Sequence, residues 1–299
     1  MTFRRATLAA LALLLPLTAG CGLRLDEPDP SPAPPSEAEG VRQREALRAS
    51  AYADAAPGGS EAAAALASHA AEHLAALGGV WEPWPDGDGP VDEDGLPLHP
   101  SPTADVGPFP DVQGVLGSLA VTTPEVCAAA LAEQDPGLAT LYSSICVSRT
   151  LDWDALAAEL GMPGPEAPAA PTDLWTRDAE LVRTLDAAAW ATDRQAAAAR
   201  AAGSEGWQAL EAQAHRYREL ALDSAAANGW AGTTQDPRQP SYDPDALPDQ
   251  TAIAAALARA ATAAVPNSSD RGGVLDLALS SGLTARRADV NLEALPGIG

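Results

Sequence analysis

His69, Glu72 and His73 are the residues whose types and spacing most directly suggest chemistry. They spell H-x-x-E-H on a segment that we expect to be helical, so both imidazoles lie on one face, one turn apart. In inverted zinc proteases two histidines at this spacing bind zinc while the glutamate acts as a base. A catalytic zinc needs a third protein ligand, and no other helix motif supplies one. We therefore interpret the two histidines as half-exposed side chains at the edge of a helix interface.

A second group of candidate ligands lies in a long connection over residues 82–122, which is dense in proline, glycine and acid. Its carboxylates are of the kind that calcium prefers; they are Asp86, Asp88, Asp92, Glu93 and Asp94. No starting position gives the glycine and the final glutamate that an EF-hand loop requires. We interpret this segment as a solvated acidic loop and as a candidate contact surface.

The C-terminal helices predicted below offer acids that a di-metal centre could use. Such a centre needs glutamates from two helices and Glu-x-x-His pairs on the other two. The available groups are Asp178, Glu180, Asp186, Asp193, Glu205, Glu211, His215, Glu219, Asp270, Asp276, Asp289 and Glu293. No Glu-x-x-His occurs among them, and residues 251–265 contain no acid, histidine or cysteine. We predict that this half holds no metal and no cofactor, and that His215 is interfacial or exposed.

Cys127 and Cys146 lie at similar distances from a predicted turn at Asp135-Pro136-Gly137. Outside the cytoplasm two such cysteines usually pair. We favour a disulfide between them over two buried thiols.

The elements that position these residues are helices. The stretch from Thr172 to Gly229 is the most regular part of the chain, and we expect the fold to be organised around it. A first helix is predicted to begin at Thr172 or Asp173 and to be broken at Gly203, and a second to begin at Ser204. Apolar residues recur three, four and seven positions apart in both. Two such helices pack as an antiparallel pair and need further helices to cover them.

Helix start signals indicate more helices on both sides of this pair. Ser36 and Ser60 are predicted to cap helices that run to about Ala55 and Leu77. The run from Thr122 to Glu125 combines a cap, a proline at the first helical position and a capping glutamate, so it predicts the start of a helix.

The helix from Thr122 is expected to turn at Asp135 into a second helix, followed by a short helix over residues 153–160. Asp249 is predicted to cap another helix, and Leu275 lies on the last one. The tail is predicted to be docked through Leu295 and Ile298, or frayed. The sequence thus predicts an all-α protein of antiparallel helical bundles, with an N-terminal region over 36–161 and a C-terminal bundle over 172–297.

Composition limits the possible functions. The chain has 299 residues, with 41 acidic and 18 basic side chains and a net charge of -23. A surface of this sign repels nucleic acid and anionic lipid headgroups. We therefore exclude nucleic acid as a partner.

Residues 1–21 are predicted to be a signal peptide that is not part of the fold. Arg4 and Arg5 precede an apolar run from Ala6 to Leu17, which is too short for a mature transmembrane helix. Leu17-Thr18-Ala19-Gly20-Cys21 resembles a bacterial lipoprotein box, in which Cys21 becomes the acylated, palmitate-bearing residue. Residues 22–35 are rich in proline and acid, as in an extended tether. We expect a protein anchored by lipid to the outer face of the plasma membrane.

Cys21-Gly22-Leu23-Arg24-Leu25 and the tether resemble the start of a group of actinobacterial lipoproteins with a C-terminal ferritin-like domain of unknown function. The run Ala214 to Leu220, continuing to Asn228-Gly229, resembles the second helix of that domain. Pro240-Ser241-Tyr242 with Leu247-Pro248-Asp249 resembles the loop into its third helix. The resemblance implies a ferritin-like four-helix bundle over residues 172–297. Relatives often have Glu-His in the first helix, where this chain has Leu185-Asp186-Ala187, so a shared metal site is not implied.

Three classes of function follow from these patterns. The first, which we favour, is a non-catalytic binding or scaffolding protein of the cell envelope, with an unknown protein or small molecule as its partner. The second is a metal-binding protein of the ferritin type. The third is a zinc hydrolase built on His69, Glu72 and His73.

Overall fold

The computed structural model of the protein describes residues 35–55, 60–84, 89–243 and 247–298. The predicted signal peptide, Cys21 and nearly all of the tether lie outside this range, as do Asp86 and Asp88. The chain divides into two compact units. Of the described residues, 82–84 and 89–101 belong to the smaller unit. The larger unit contains every helix of the described residues and comprises 35–55, 60–81, 102–243 and 247–298.

The described residues form eight α-helices and no β-strand, which confirms the predicted all-α class. The helices are α1 (Glu37–Ala53), α2 (Glu61–Ala76), α3 (Val112–Ala132), α4 (Pro136–Glu159), α5 (Ala179–Ala201), α6 (Trp207–Ala227), α7 (Gln250–Ala264) and α8 (Arg271–Arg286), with a 3₁₀ turn at Val265–Asn267 between the last two.

Helix α4 is the centre of the larger unit, and the expected organisation around Thr172–Gly229 is wrong. Every residue from Leu141 to Asp152 is buried, so α4 is covered on all sides. It packs against α2, α3, α7 and α8. One hydrophobic core therefore joins the regions 36–161 and 172–297.

Helix α3 begins ten residues before the predicted start, and Pro124 lies inside it. Asp111 caps it, accepting a hydrogen bond from the N–H of Gly114 at 2.8 Å. An interior proline costs roughly 3 kcal/mol. Burial of Val115, Leu119 and Val126 against the neighbouring helices offsets that cost.

Helix α4 is continuous where a break and a separate short helix over 153–160 were predicted. Nothing between Arg149 and Trp153 forces a break. Thr150 is satisfied within the helix, since its hydroxyl donates to the carbonyl of Cys146 at 2.8 Å. The chain turns at Asp135, as predicted, and the Asp135 carboxylate caps α4 by accepting a hydrogen bond from the N–H of Leu138 at 2.9 Å.

The hairpin of α3 and α4 brings Cys127 and Cys146 together, as predicted. Their sulfur atoms are 2.01 Å apart, at disulfide-bond distance, and their Cα atoms are separated by 5.0 Å. Cys146 is fully buried, so the bridge lies within the hydrophobic core.

Helix α5 begins at Ala179 rather than at Thr172 or Asp173. The preceding segment is extended because its backbone pairs with residues far away in the chain. Thr176 pairs with Ser268, and the Arg177 N–H donates to the Asn267 carbonyl at 3.1 Å. Helix α6 likewise begins after Gly206, whose φ of 90° suits glycine, instead of at Ser204.

The C-terminal tail is docked through Leu295, as predicted, whereas the predicted Ile298 is exposed. Leu292 and Ala294 are buried. Gly297 has a φ of 81°, and a Cβ added there would lie 2.7 Å from the carbonyl oxygen of Arg259 in α7. The tail therefore approaches α7 too closely for a side chain at this position.

Among the described residues, α3 alone is long and apolar enough to cross a membrane. Core helices of soluble proteins pass the same test. Because Val115, Leu119, Val126 and Ala130 of α3 are buried in the fold, we interpret it as a core helix.

In the smaller unit, residues 90–98 form a short hairpin that brings Val91 opposite Pro97. The Asp92 carboxylate accepts hydrogen bonds from the N–H groups of Asp94 at 2.9 Å and Leu96 at 2.8 Å. These acids are exposed, and Asp92 stabilises the turn.

Candidate functional site

A cavity of about 390 Å³ lies in the larger unit between α2, α4, the end of α8 and the segment that follows it. Residues on one face of α2 and one face of α4 form opposite walls, at spacings of three and four positions. The lining residues are Glu61, Ala62, Ala65, His69, Ser148, Leu151, Asp152, Ala155, Ala158, Glu159, Arg286, Asn291, Leu292 and Glu293. The volume falls within the ordinary range for small-molecule sites.

A histidine–aspartate pair lines this cavity. The Nδ1 of His69 lies 2.9 Å from Oδ1 and 3.2 Å from Oδ2 of Asp152. The His69 side chain is 25% exposed and the Asp152 side chain 6%. The hydrogen bond to Asp152 raises the pKa of His69, whereas burial raises the pKa of Asp152 with His69 opposing that effect. The carboxylate therefore fixes the orientation of the imidazole and favours its charged form.

His73, one turn further along α2, has a different role. It is fully buried, so the expectation of two half-exposed histidines holds for His69 and is wrong for His73. Its Nε2–H donates to the carbonyl of Ala294 at 2.8 Å and so holds the tail in place. Burial, assisted by the charge of Arg149, lowers the pKa of His73 to about 3.

Ser148 and Arg286 are polar groups on the cavity wall that lack protein partners among the described residues. Ser148 is 3% exposed, yet its hydroxyl makes no hydrogen bond. Arg286 is half-buried and makes no hydrogen bond or ion pair, although its charge acts on Asp152. This wall therefore has two donors, the guanidinium of Arg286 and the hydroxyl of Ser148, that no protein acceptor among the described residues engages.

Three of the four carboxylates that line the cavity are already engaged. Asp152 binds His69, Glu159 accepts from the N–H of Ala62 at 3.1 Å, and Glu293 binds Nε of Arg259 at 2.8 Å. The fourth, Glu61, is exposed in the first turn of α2.

Behind the cavity wall, a buried ion-pair network supports α4. Glu45 of α1 accepts from Nη1 of Arg149 at 2.6 Å and from Nη1 of Arg48 at 2.9 Å. Arg48 also binds Asp105 and Glu125. Glu45 and Arg149 are each 1% exposed, so removing either partner would leave an uncompensated buried charge.

The other residues considered for metal binding are dispersed. Asp178 and Asp270 cap helices, Asp186 accepts from the hydroxyl of Tyr242 at 2.7 Å, and Asp193 pairs with Arg218. His215 is exposed and lies 3.1 Å from Glu219, as predicted. Glu72 is exposed on α2. In the part of the chain that the structure describes, no three His, Cys, Asp or Glu side chains are arranged to hold a metal.

A second cavity of about 380 Å³ lies between α5 and α6. Arg200 stacks over Trp207 there, 4.8 Å from the ring centroid, and Asp193 is paired with Arg218. Its walls contain none of the described buried polar atoms that lack a partner. The cavity beside His69 is therefore the better candidate for a binding site.

The sequence pattern pointed to His69 but not to Ser148, Asp152 or Arg286. One pattern in the sequence could have pointed to this site. Ser148 and Asp152 place a hydroxyl and an acid one turn apart inside a mainly apolar helix. The partner of Asp152 lies 83 residues away. No local pattern connects positions that far apart.

Comparison with protein-family models, curated proteins and solved structures finds no match for the chain.

Proposed function

We propose that this protein is a lipid-anchored, extracytoplasmic binding protein whose helical domain binds a small molecule in the cavity between α2 and α4. Acylated Cys21 and the tether would hold it at the outer face of the plasma membrane. One observation carries the binding role: the buried hydroxyl of Ser148 lacks a partner on the wall of a preformed cavity, beside the His69–Asp152 pair.

Binding fits this geometry better than catalysis by zinc. In the zinc hydrolase hypothesis His69 and His73 ligate one ion, but their rings are engaged in different places, His69 with Asp152 and His73 with Ala294. The walls of the cavity are regular helices that share the hydrophobic core, and rigid elements of this kind preorganise a binding site.

The ferritin-like arrangement of the C-terminal half is also part of this proposal. Helices α5 and α6 form one hairpin, α7 and α8 form another, and the hairpins pack through α5 and α7. In this proposal the bundle serves as a scaffold, since α8 contacts α4 and contributes Arg286 to the cavity.

The test is a thermal-shift screen of a small-molecule library against the purified full-length chain and two tryptophan variants. Ala155→Trp fills the cavity from its α4 wall, while Ala212→Trp places the same side chain on the exposed face of α6. A ligand at 100 times its Kd stabilises the folded state by about 2.7 kcal/mol. We expect compounds that raise the Tm of the wild type and of Ala212→Trp but not that of Ala155→Trp.

If Ala155→Trp folds and every stabilising compound acts on it as on the wild type, the cavity is not the binding site. If Ala155→Trp fails to fold, Ala65→Leu fills the opposite wall with a smaller side chain and replaces it in the comparison.

A further inference from the structure

We infer that the ligand of this cavity carries a single carboxylate, which Arg286 and the hydroxyl of Ser148 bind, on a small apolar body. This inference rests on the proposed binding function and specifies the chemistry of its ligand. It follows from which charges on the cavity wall already have partners and which do not.

The partners of the charged side chains on the cavity wall favour an anionic group on the ligand. Asp152, Glu159 and Glu293 already accept hydrogen bonds from protein donors, so they offer little to a cation. Glu61 is exposed at the start of α2, where the helix dipole stabilises its charge. His69 is paired with Asp152, which leaves the guanidinium of Arg286 as the cavity-lining cation without a hydrogen-bonded partner among the described residues.

Ser148 supplies a second donor. Hydroxyls inside helices commonly donate to the carbonyl four residues earlier. On the same helix Ser143 does so to Ala139 at 2.7 Å and Thr150 does so to Cys146 at 2.8 Å. Ser144 and Ser148 make no such bond, and of these two Ser148 lines the cavity. Its buried hydroxyl is therefore a donor without a protein partner at the cavity wall.

The remaining surface of the cavity limits the body of the ligand. The side chains Ala62, Ala65, Ala155 and Ala158, with Leu151 and Leu292, give an apolar lining. The guanidinium fork matches a carboxylate in a bidentate geometry. The chain as a whole is strongly negative, so at long range it repels polyanions more strongly than a ligand with one negative charge.

Three probes of equal length test the inference by isothermal titration calorimetry on the full-length protein: hexanoate, hexylamine and hexanol. We expect hexanoate to bind most tightly. Arg286→Gln should weaken its binding about tenfold or more, because a charge-assisted bidentate contact is lost. Ser148→Ala should weaken it a few-fold, and Arg286→Lys should give an intermediate loss. Arg216→Gln, which removes an exposed charge on α6, is the matched control and should bind hexanoate as the wild type does.

Tighter binding of hexylamine or hexanol, or equal binding of hexanoate by Arg286→Gln and the wild type, overturns the carboxylate inference and leaves the cavity as a binding site. Failure of all three probes to bind also overturns it. The separate comparison of Ala155→Trp with Ala212→Trp then decides whether the proposed function fails too. Circular dichroism of each variant identifies any that does not fold, in which case Arg286→Lys and Ser148→Ala supply the comparison.

Discussion

His69 and His73 are one turn apart in α2, yet their surroundings shift their pKa values in opposite directions. His69 is stabilised as a cation by Asp152, so its contribution to stability is present below the unfolded pKa of about 6.5 and is lost as the pH rises through its higher folded pKa. His73 is buried near Arg149 and is stabilised as the neutral form. Its contribution is present above about pH 6.5 and is lost as the pH falls toward its folded pKa of about 3.

This difference in sign makes a test at single-residue scale possible. Between pH 7 and pH 5 we expect the buried, neutral His73 to lower the free energy of unfolding of the wild type by about 2 kcal/mol. Each pH unit below 6.5 contributes about 1.36 kcal/mol to this loss. His73→Gln keeps an N–H that can donate to the Ala294 carbonyl but does not titrate. Urea unfolding at both pH values should show that this variant loses correspondingly less stability on acidification.

His215→Gln is the control, because His215 is 65% exposed and its substitution should leave the pH profile unchanged. The His69–Asp152 pair does not add to the loss, because the raised pKa of His69 makes its contribution increase as the pH falls toward 6.5, below which it is fully present. An equal loss of stability for His73→Gln and the wild type would show that His73 is not the group responsible.

At the scale of elements, the local sequence signals correctly predicted helices in the region of α3 and α4 but placed their boundaries wrongly. Thr122 to Glu125 has the residues of a helix start, and in another context it would be one. Here the hydroxyls of Tyr52 in α1 and Thr122 lie 2.8 Å apart, at hydrogen-bond distance, inside the fold. Burial of both halves of α3 against α1 and α4 makes one continuous helix more stable than two short ones.

The α3–α4 hairpin also gives a prediction about the disulfide. The Cys127→Ala/Cys146→Ala double variant should be less stable than the oxidised wild type by about 3 kcal/mol, because the crosslink restricts the unfolded chain over a loop of 19 residues. Chemical denaturation with and without reductant measures the difference.

Reductant should lower the stability of the wild type and leave the double variant unchanged, so the variant is its own control. Recovery of both cysteines as free thiols, by alkylation and peptide mapping of the exported protein, would contradict the pairing.

At the scale of the whole molecule, the lipid anchor is a separate prediction, since Cys21 lies outside the described residues. Cys21→Ala should move the protein from the membrane fraction to the soluble extracytoplasmic fraction and abolish incorporation of labelled palmitate. The physical reason is that stable attachment depends on buried acyl chains, each CH₂ contributing about 0.8 kcal/mol.

Cys127→Ala is the matched control because it removes a cysteine from the folded core and leaves the lipoprotein box intact. It should remain in the membrane fraction with its label. Persistence of Cys21→Ala in the membrane fraction after a salt wash would refute anchoring through this residue.

The shared core also changes how the two halves of the chain are understood. Leu277 and Leu283 of α8 belong to the same hydrophobic core as Ile145 and Val147 of α4. The candidate cavity depends on this packing, because α2 and α4 form its walls and Arg286 at the end of α8 lines it.

By itself the sequence determined the all-α class, the caps at Ser36, Ser60 and Asp249, the turn at Asp135, and the pairing partners Cys127 and Cys146. These features depend on residues a few positions apart, or on one hairpin with a short turn, so local propensity and spacing specify them.

Only the tertiary structure decided which helix is central, where α3 and α5 begin and what His69 and His73 do. Each of these depends on contacts between residues far apart in the chain, such as His69 with Asp152, His73 with Ala294 and Thr176 with Ser268. The free energy gained by burying and pairing such groups exceeds the small differences in local propensity that a sequence pattern records. For that reason the three residues of the H-x-x-E-H motif have separate roles. His69 lines the cavity, His73 is buried and holds the tail, and Glu72 is exposed.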